Sequence, residues 1–195
     1  MANPFGLKAA RHLFGQNTFQ TGVFTVDDNN PKAIWMGQAV ALASGKVVEH
    51  TSTSTSPILG VVKACYTGTK NRPRTFSQPD NGPFIPMSTR AFVEVYTDPF
   101  IVYEVVGDSA ASDASIGQLC EIVASPSGNP KTGISDMQMD TSTMAAQTSA
   151  NNQTLPFRVV GLAMRERAPA GSGYADKQVI EVVINDHVYR RAFPV

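Results

Sequence analysis

The chain has 195 residues and a mass of 20.9 kDa; 42% of its residues are hydrophobic and only 16% charged, with 16 Lys+Arg against 16 Asp+Glu. That length suits one domain with a real core, and formal neutrality gives no general attraction for polyanions, which argues against a dedicated nucleic-acid binder. A charge-poor chain also lacks the self-repulsion that keeps free monomers dispersed, so the composition favours a protein that works among partners.

Residues 1–20 read as an N-terminal arm, extended or folded as a short helix on a partner. Within it, LKAARHLF at 7–14 would place Leu7, Ala10, Arg11 and Phe14 on one helical face, although eight residues cannot hold a helix alone in water. The segment lacks the apolar run of a secretory signal, and no stretch of eighteen apolar residues occurs. The expectation is synthesis in a cytoplasm and no membrane association.

Residues 21–195 read as a single β domain. Strand candidates with period-two patterning or short β-branched runs lie at 22–26, 39–43, 46–49, 58–64, 91–97, 100–106, 118–124, 157–164 and 178–184. Ser44-Gly45 supplies a tight turn between the second and third, and Asp98-Pro99 joins 91–97 to 100–106 as a hairpin or a bent pair. Many short strands separated by Gly, Pro, Asn and Ser predict a mainly β fold, an antiparallel barrel or sandwich with an extended arm. Residues 136–153 show no periodicity and are expected to form a long loop. Met137, Met139 and Met144 within it suit either an irregular partner surface or the core. Cys65 and Cys120 fall in apolar runs without metal or disulfide spacing and are expected to be buried free thiols.

Charge is distributed unevenly. The first 26 residues hold Lys8 and Arg11 and no acid, residues 94–140 hold eight acids against Lys131, and six bases face four acids from Arg158 onward. Basic ends around an acidic middle could guide one copy onto another.

Chemistry is hard to find. His12, His50 and His187 are far apart and no HxH, HExxH or CxxC pair occurs, so no metal, cofactor or catalytic residue is expected. Gly107-Asp108-Ser109 is similar to the nucleophile turn of chymotrypsin-like proteases, with His50 and Asp80 in the matching order. The two following glycines of that turn are Ala110 and Ala111 here, however, and neither His50 nor Asp80 has the family's flanks. The acid pairs Asp108/Asp113 and Asp136/Asp140 match no calcium loop, and the basic cluster Lys70, Arg72, Arg74 near Tyr66 and Phe76 is too small for a nucleic-acid interface.

Six segments in order resemble the head decoration, or cement, proteins of tailed bacteriophages. The opening MAN-x-x-G-[LF]-[KR]-x-x-R-[HY]-L is matched from Met1 through Gly6, Leu7, Lys8, Arg11 and His12 to Leu13. ILGVV stands at Ile58 to Val62, and V-x-V-x-x-DP-x-x-x-[FY]-E-V runs from Val93 through Asp98-Pro99 to Tyr103-Glu104-Val105. D-x-S-[ST] lies at Asp140 to Thr143, RVVGL at Arg158 to Leu162 and V-x-IN-x-H-x-Y-R at Val182 to Arg190. The resemblance implies a structural virion protein, not an enzyme. It would be a homotrimer that clamps neighbouring HK97-type major capsid subunits on the outer head surface, with no small-molecule, membrane or nucleic-acid partner. Under that implication Phe5, Leu7, Phe14 and Phe19 would serve as apolar anchors and Lys8, Arg11 and His12 would face an acidic shelf, with Met137, Met139 and Met144 as further contacts. The alternative is a glycan- or receptor-binding virion module, for which Trp35 and Tyr174 are the candidate aromatic platform.

Overall fold

The structure is a computed structural model that describes residues 5–15, 18–52, 55–69, 72–75, 83–123, 127–145, 155–163 and 178–190. It is mainly β, with antiparallel sheets packed in a sandwich-like arrangement rather than one closed barrel. Among the described residues no helix is long and apolar enough to cross a membrane.

The first sheet has the order β1-β8-β14-β13-β9-β12 and the second β2-β7-β5-β3-β4. In chain order the strands are β1 (Lys8–His12), β2 (Thr21–Thr25), β3 (Ala39–Ala43), β4 (Lys46–Glu49), β5 (Ile58–Thr69), β6 (Arg72–Thr75) and β7 (Phe92–Tyr96). They continue with β8 (Ile101–Val106), β9 (Leu119–Ile122), β10 (Gly128–Asn129), β11 (Ile134–Ser135), β12 (Met139–Ala145), β13 (Phe157–Leu162) and β14 (Val179–Ile184). β6 pairs with the far end of β5, and β10 with β11 form a small separate ladder. Single bridges, Gly107 to Met139 and Val26 to Val47, draw the sheets round without closing either into a full ladder.

All nine sequence-predicted strands are present, and β3 and β4 end at the expected residues. Their turn holds Ser44 at φ +50° and Gly45 at φ +76°, the left-handed pair that matches the twist of a two-residue hairpin. The pair 91–97 and 100–106 is not a hairpin. β7 belongs to the second sheet and β8 to the first, so Asp98-Pro99 is the corner where the chain changes sheets. Asp98 Oδ1 accepts the Phe100 N–H at 2.9 Å, which fixes that corner locally.

Two expectations are corrected. Residues 7–14 form no helix: β1 pairs antiparallel with β8, with a bulge between Ala9 and Arg11. The extended alternative is the one realised, but the strand lies on its own chain. Leu7, Ala9 and His12 turn inward at spacings of two and three, the bulge resetting the alternation between Ala9 and His12. Residues 136–153 are not a single loop, because β12 occupies 139–145 and pairs with β9; the ladder breaks between Asp140 and Ala145. There Thr143 Oγ1 accepts the Glu121 N–H at 2.9 Å and Asp140 Oδ1 accepts the Ser142 N–H at 3.0 Å. Side chains thus replace rungs, and period two is lost. Residues 146–154 lie outside the described residues.

The core has two main lobes with β3 and β5 between them. Ala39, Ile58 and Val61 pack with Ile101, Tyr103, Val105, Phe157 and Ile180 of the first sheet. Val40, Leu59, Val62 and Cys65 face the other way, onto Val26, Ile34, Val47 and Val93. Burying each large aliphatic side chain is worth about 1.5–3 kcal/mol, so β5 contributes to both lobes at once. The crossover is possible because Leu59 is an extra residue in the β3–β5 ladder and the next residue is Gly60. A Cβ on Gly60 would lie 1.8 Å from the Tyr96 carbonyl oxygen. Cys65 and Cys120 are buried free thiols, as their apolar settings imply.

Gly60→Ala is expected to lower unfolding free energy by at least about 3 kcal/mol, because the opposing atom is backbone and cannot yield. Gly45→Ala, at positive φ with open space around it, should cost only about 1–2 kcal/mol. Urea midpoints check both, and a Gly60→Ala protein with the wild-type midpoint would refute the close approach.

Candidate contact surface

The arm residues divide sharply once placed. Gly6, at φ +67°, sits so close to Gly37 that a Cβ would lie 2.7 Å from the Gly37 carbonyl oxygen, and the Leu7 N–H donates to that same oxygen at 2.8 Å. Leu7 therefore enters the first core lobe. Phe5 is half-buried against Val106, Ala163 and Val179. Phe19 is half-buried, its ring edge-on to Tyr96 at 5.9 Å.

His12 is buried too. Its Nε2 lies 3.3 Å from Asp98 Oδ2 and its Nδ1 accepts the Phe14 N–H at 3.1 Å. The ring thus pins the end of β1 to the inter-sheet corner and cannot reach a partner. Met137 and Met139 are likewise core residues, and Met144 is half-buried against the same lobe. For Leu7, His12, Met137 and Met139 the contact expectation gives way to core packing, because their inward direction is set by β1 and β12 joining the sheet.

What remains outward is compact in sequence. Lys8 and Ala10 are exposed on β1, and Arg11 is exposed while its guanidinium meets Glu181 at 2.8 Å. Phe14 is 69% exposed, and its ring meets Phe100 edge-on at 5.0 Å. Leu13 is exposed beside it and is held by its N–H to the Phe100 carbonyl at 2.9 Å. β1 is an edge strand of its sheet. A basic strip that ends in exposed Leu13 and Phe14 is a surface suited to a protein partner. Leu13 and Phe100 were not singled out from the sequence; their signal was the Asp98-Pro99 corner, whose partner strand could not be read.

The other sequence candidates do not assemble. Ser109 Oγ is hydrogen-bonded to Thr141 Oγ1, neither ring nitrogen of His50 has a hydrogen-bond partner among the described residues, and Asp80 lies outside them. Trp35 is only 8% exposed and stacks on Phe84 with centroids 4.1 Å apart. Gly128 is flush against its other side, with a Cβ position 2.3 Å from the indole. Trp35 is therefore no platform, and Tyr174 lies outside the described residues, as do Lys70 and Phe76. Asp108 Oδ1 accepts the Thr141 N–H and Asp140 Oδ1 the Ser142 N–H. Among the described residues no group of three or more His, Cys, Asp or Glu is placed to hold a metal ion.

The interior does hold unusual titratable groups. Burial pushes His50 and His187 down to about 4, and burial with Asp140 nearby pushes Glu121 up to about 7. Among the described residues the Tyr103 hydroxyl and His187 Nε2 are buried without hydrogen-bond partners. These features describe a stability cost of the fold rather than a reactive centre.

No protein-family model, no curated protein and no solved structure matches the chain.

Acid should destabilise this fold in a graded way. Below the ordinary histidine value of 6.5, unfolded His50 and His187 take up protons that the folded rings refuse until about pH 4. Their stabilising contribution is complete above pH 6.5 and is lost as pH falls through that window. Glu121 acts oppositely: between about 7 and 4.5 its folded carboxyl binds the extra proton, so acid favours the fold there. Two histidines against one glutamate leave a net loss of about tenfold in the folding equilibrium per pH unit near pH 5.5. His50→Leu should flatten that slope and Glu121→Gln should steepen it in urea titrations between pH 4.5 and 6.5. An unchanged slope in both variants would contradict the burial-driven shifts.

Proposed function

We propose that this protein is a structural decoration protein of a tailed-phage head, binding the outer surface of a shell built from HK97-type major capsid subunits and bridging neighbouring subunits. The observation that carries the reading is the ordered resemblance of six segments to that family. Supporting it, two contacts join four of those segments in pairs. Gly6, Leu7 and His12 come from the first segment. Ile58, from ILGVV, forms a bridge with His187 of the last, and Asp98 of the DP segment faces His12.

The outward surface fits the task. Binding of this kind draws on apolar anchors inside a polar rim, and Phe14 with Leu13 flanked by Lys8 and Arg11 has that make-up. Because β1 is already laid on β8, no arm has to be ordered on docking, and that entropic cost falls on folding instead. Many identical copies on one shell would add avidity to individually modest contacts.

Heads lacking this protein should release DNA at a lower temperature than complete heads, and adding the purified chain back should restore the higher value. Phe14→Ser chain should need roughly tenfold more protein to do so, with its own unfolding midpoint unchanged. Equal thermal release with and without the protein would sink the stabilising role.

A further inference from the structure

We propose that the end of β1 and the segment after β14 carry a matched pair of proton-sensitive turns. In them the imidazole Nδ1 atoms of His12 and His187 hold the exposed aromatic residues Phe14 and Tyr189, and proton uptake by either ring frees the residue it holds. The consequence for docking through Phe14 rests on the preceding reading; the turns themselves do not.

The two turns are built alike from remote parts of the sequence. At the end of β1 the Phe14 N–H donates to His12 Nδ1 at 3.1 Å, the Gly15 N–H to the His12 carbonyl at 3.1 Å and the Leu13 N–H to the Phe100 carbonyl at 2.9 Å. After β14 the Tyr189 N–H donates to His187 Nδ1 at 3.1 Å, the Arg190 N–H to the His187 carbonyl at 3.0 Å and the Val188 N–H to the Ile58 carbonyl at 2.9 Å. In both, the imidazole is buried and the aromatic residue two positions on is exposed against it, with ring centroids 5.9 Å and 5.6 Å apart. Asp27, Asp98, Asn129 and Asp140 also accept the N–H two residues on, through a side-chain oxygen. An amide oxygen does so at every pH, whereas an imidazole does so only while Nδ1 carries no proton.

Accepting at Nδ1 places the proton of each neutral ring on Nε2. His12 Nε2 lies 3.3 Å from Asp98 Oδ2. Asp98 bears on His187 as well, as do Arg190 and the Leu59 carbonyl, and the Tyr103 hydroxyl of β8 is buried within reach of Asp98. Lys8 and Arg11 of β1 are exposed, opposite Glu104 and paired with Glu181. A second proton, on Nδ1, sets two N–H donors against each other, so the turn loses its bond while His12 Nε2 keeps its place at Asp98. The effect is local to the turns, because the β1–β8 ladder does not pass through either ring. Burial lowers His187 to about 4, with Asp98 acting in the opposite sense, so its turn stays bonded down to that pH.

Nuclear magnetic resonance of the purified full chain reads both turns directly. As pH falls, the amide proton of Phe14 should move with the ring resonances of His12, and that of Tyr189 with those of His187, each pair sharing one midpoint, near pH 4 for the second. Protection of the Phe14 amide against hydrogen exchange should fall roughly tenfold across its own transition, the worth of one hydrogen bond, while the β1–β8 amides keep theirs. His12→Asn puts an amide oxygen where Nδ1 stands, and its Phe14 amide should hold its resonance throughout. Rings that titrate without their amides, or a Phe14 amide that moves equally in His12→Asn, would overturn the proposal; the wild-type titration decides alone if the variant does not fold. On heads, wild-type binding should weaken roughly tenfold through the His12 transition and His12→Asn binding should not; equal pH dependence of the two would overturn the link to docking. Amides that follow their rings in a chain that binds no heads would overturn the head-binding reading and leave the turns intact. Head binding by a chain whose amides ignore their rings would do the reverse.

Discussion

β5 begins with a run that water reaches on neither face. Ile58 and Val61 belong to one core lobe, Leu59 and Val62 to the other, and both backbone edges are occupied, by β3 and β7. Such a strand must be apolar throughout, which is why ILGVV does not alternate. It must also cross a change of phase, which the extra residue Leu59 supplies, and it must let Tyr96 of β7 approach within the radius of a methyl group, which Gly60 alone permits. The rest follows from this shared wall. β7 pairs with β5, the chain then turns at Asp98-Pro99, and β8 starts the other sheet against the opposite face of the same wall.

The corner gathers groups that are remote in sequence. His12 comes from the arm, Asp98 from the corner itself and Tyr103 from β8, and the bridge of Ile58 to His187 brings in the segment after β14. A buried polar contact of this kind is weak evidence for net stability, since desolvation offsets its attraction. Its effect here is positional: His12 Nε2 sits 3.3 Å from Asp98 Oδ2 with both side chains buried, so β1 is held at one register. The arm is therefore part of the domain. Its exposed residues Lys8, Leu13 and Phe14 form a surface whose geometry is fixed before any partner arrives.

How much of this was legible in the sequence depends on whether the deciding contact is local. The β3–β4 hairpin could be read to the residue because its turn chemistry and its alternation lie within eleven positions. β7 and β8 could be read as strands, but not as members of different sheets, because a corner and a hairpin share the same Asp-Pro signal and only distant pairing separates them. The sequence leaves β1 open between an extended arm and a short helix and reads β12 as loop, for one common reason. Each carries a break in its ladder register, and such a break interrupts the period-two alternation by which a strand is read. The contact residues were half legible: Lys8 and Phe14 do face outward, whereas Leu7, His12, Met137 and Met139 were chosen for their chemistry and are turned inward by strand phase.

The formal neutrality of the chain acquires a spatial meaning from the sheet order. Sixteen charges of each sign could have been dispersed so that every surface was neutral, and many are: Lys46 meets Asp27, Lys63 meets Glu94, Lys32 meets Glu49. Those pairs lie on the second sheet or in the segments beside it. The first sheet neutralises part of its charge too, with Arg11 on Glu181 and Lys8 opposite Glu104 in the β1–β8 ladder, whereas Asp140 and Glu121 face each other across β12 and β9 with no cation paired to them among the described residues. Surface pairs within a chain are worth little, so pairing these as well would have gained little stability. The unpaired acids of β9 and β12 are therefore tolerated by the fold at little cost.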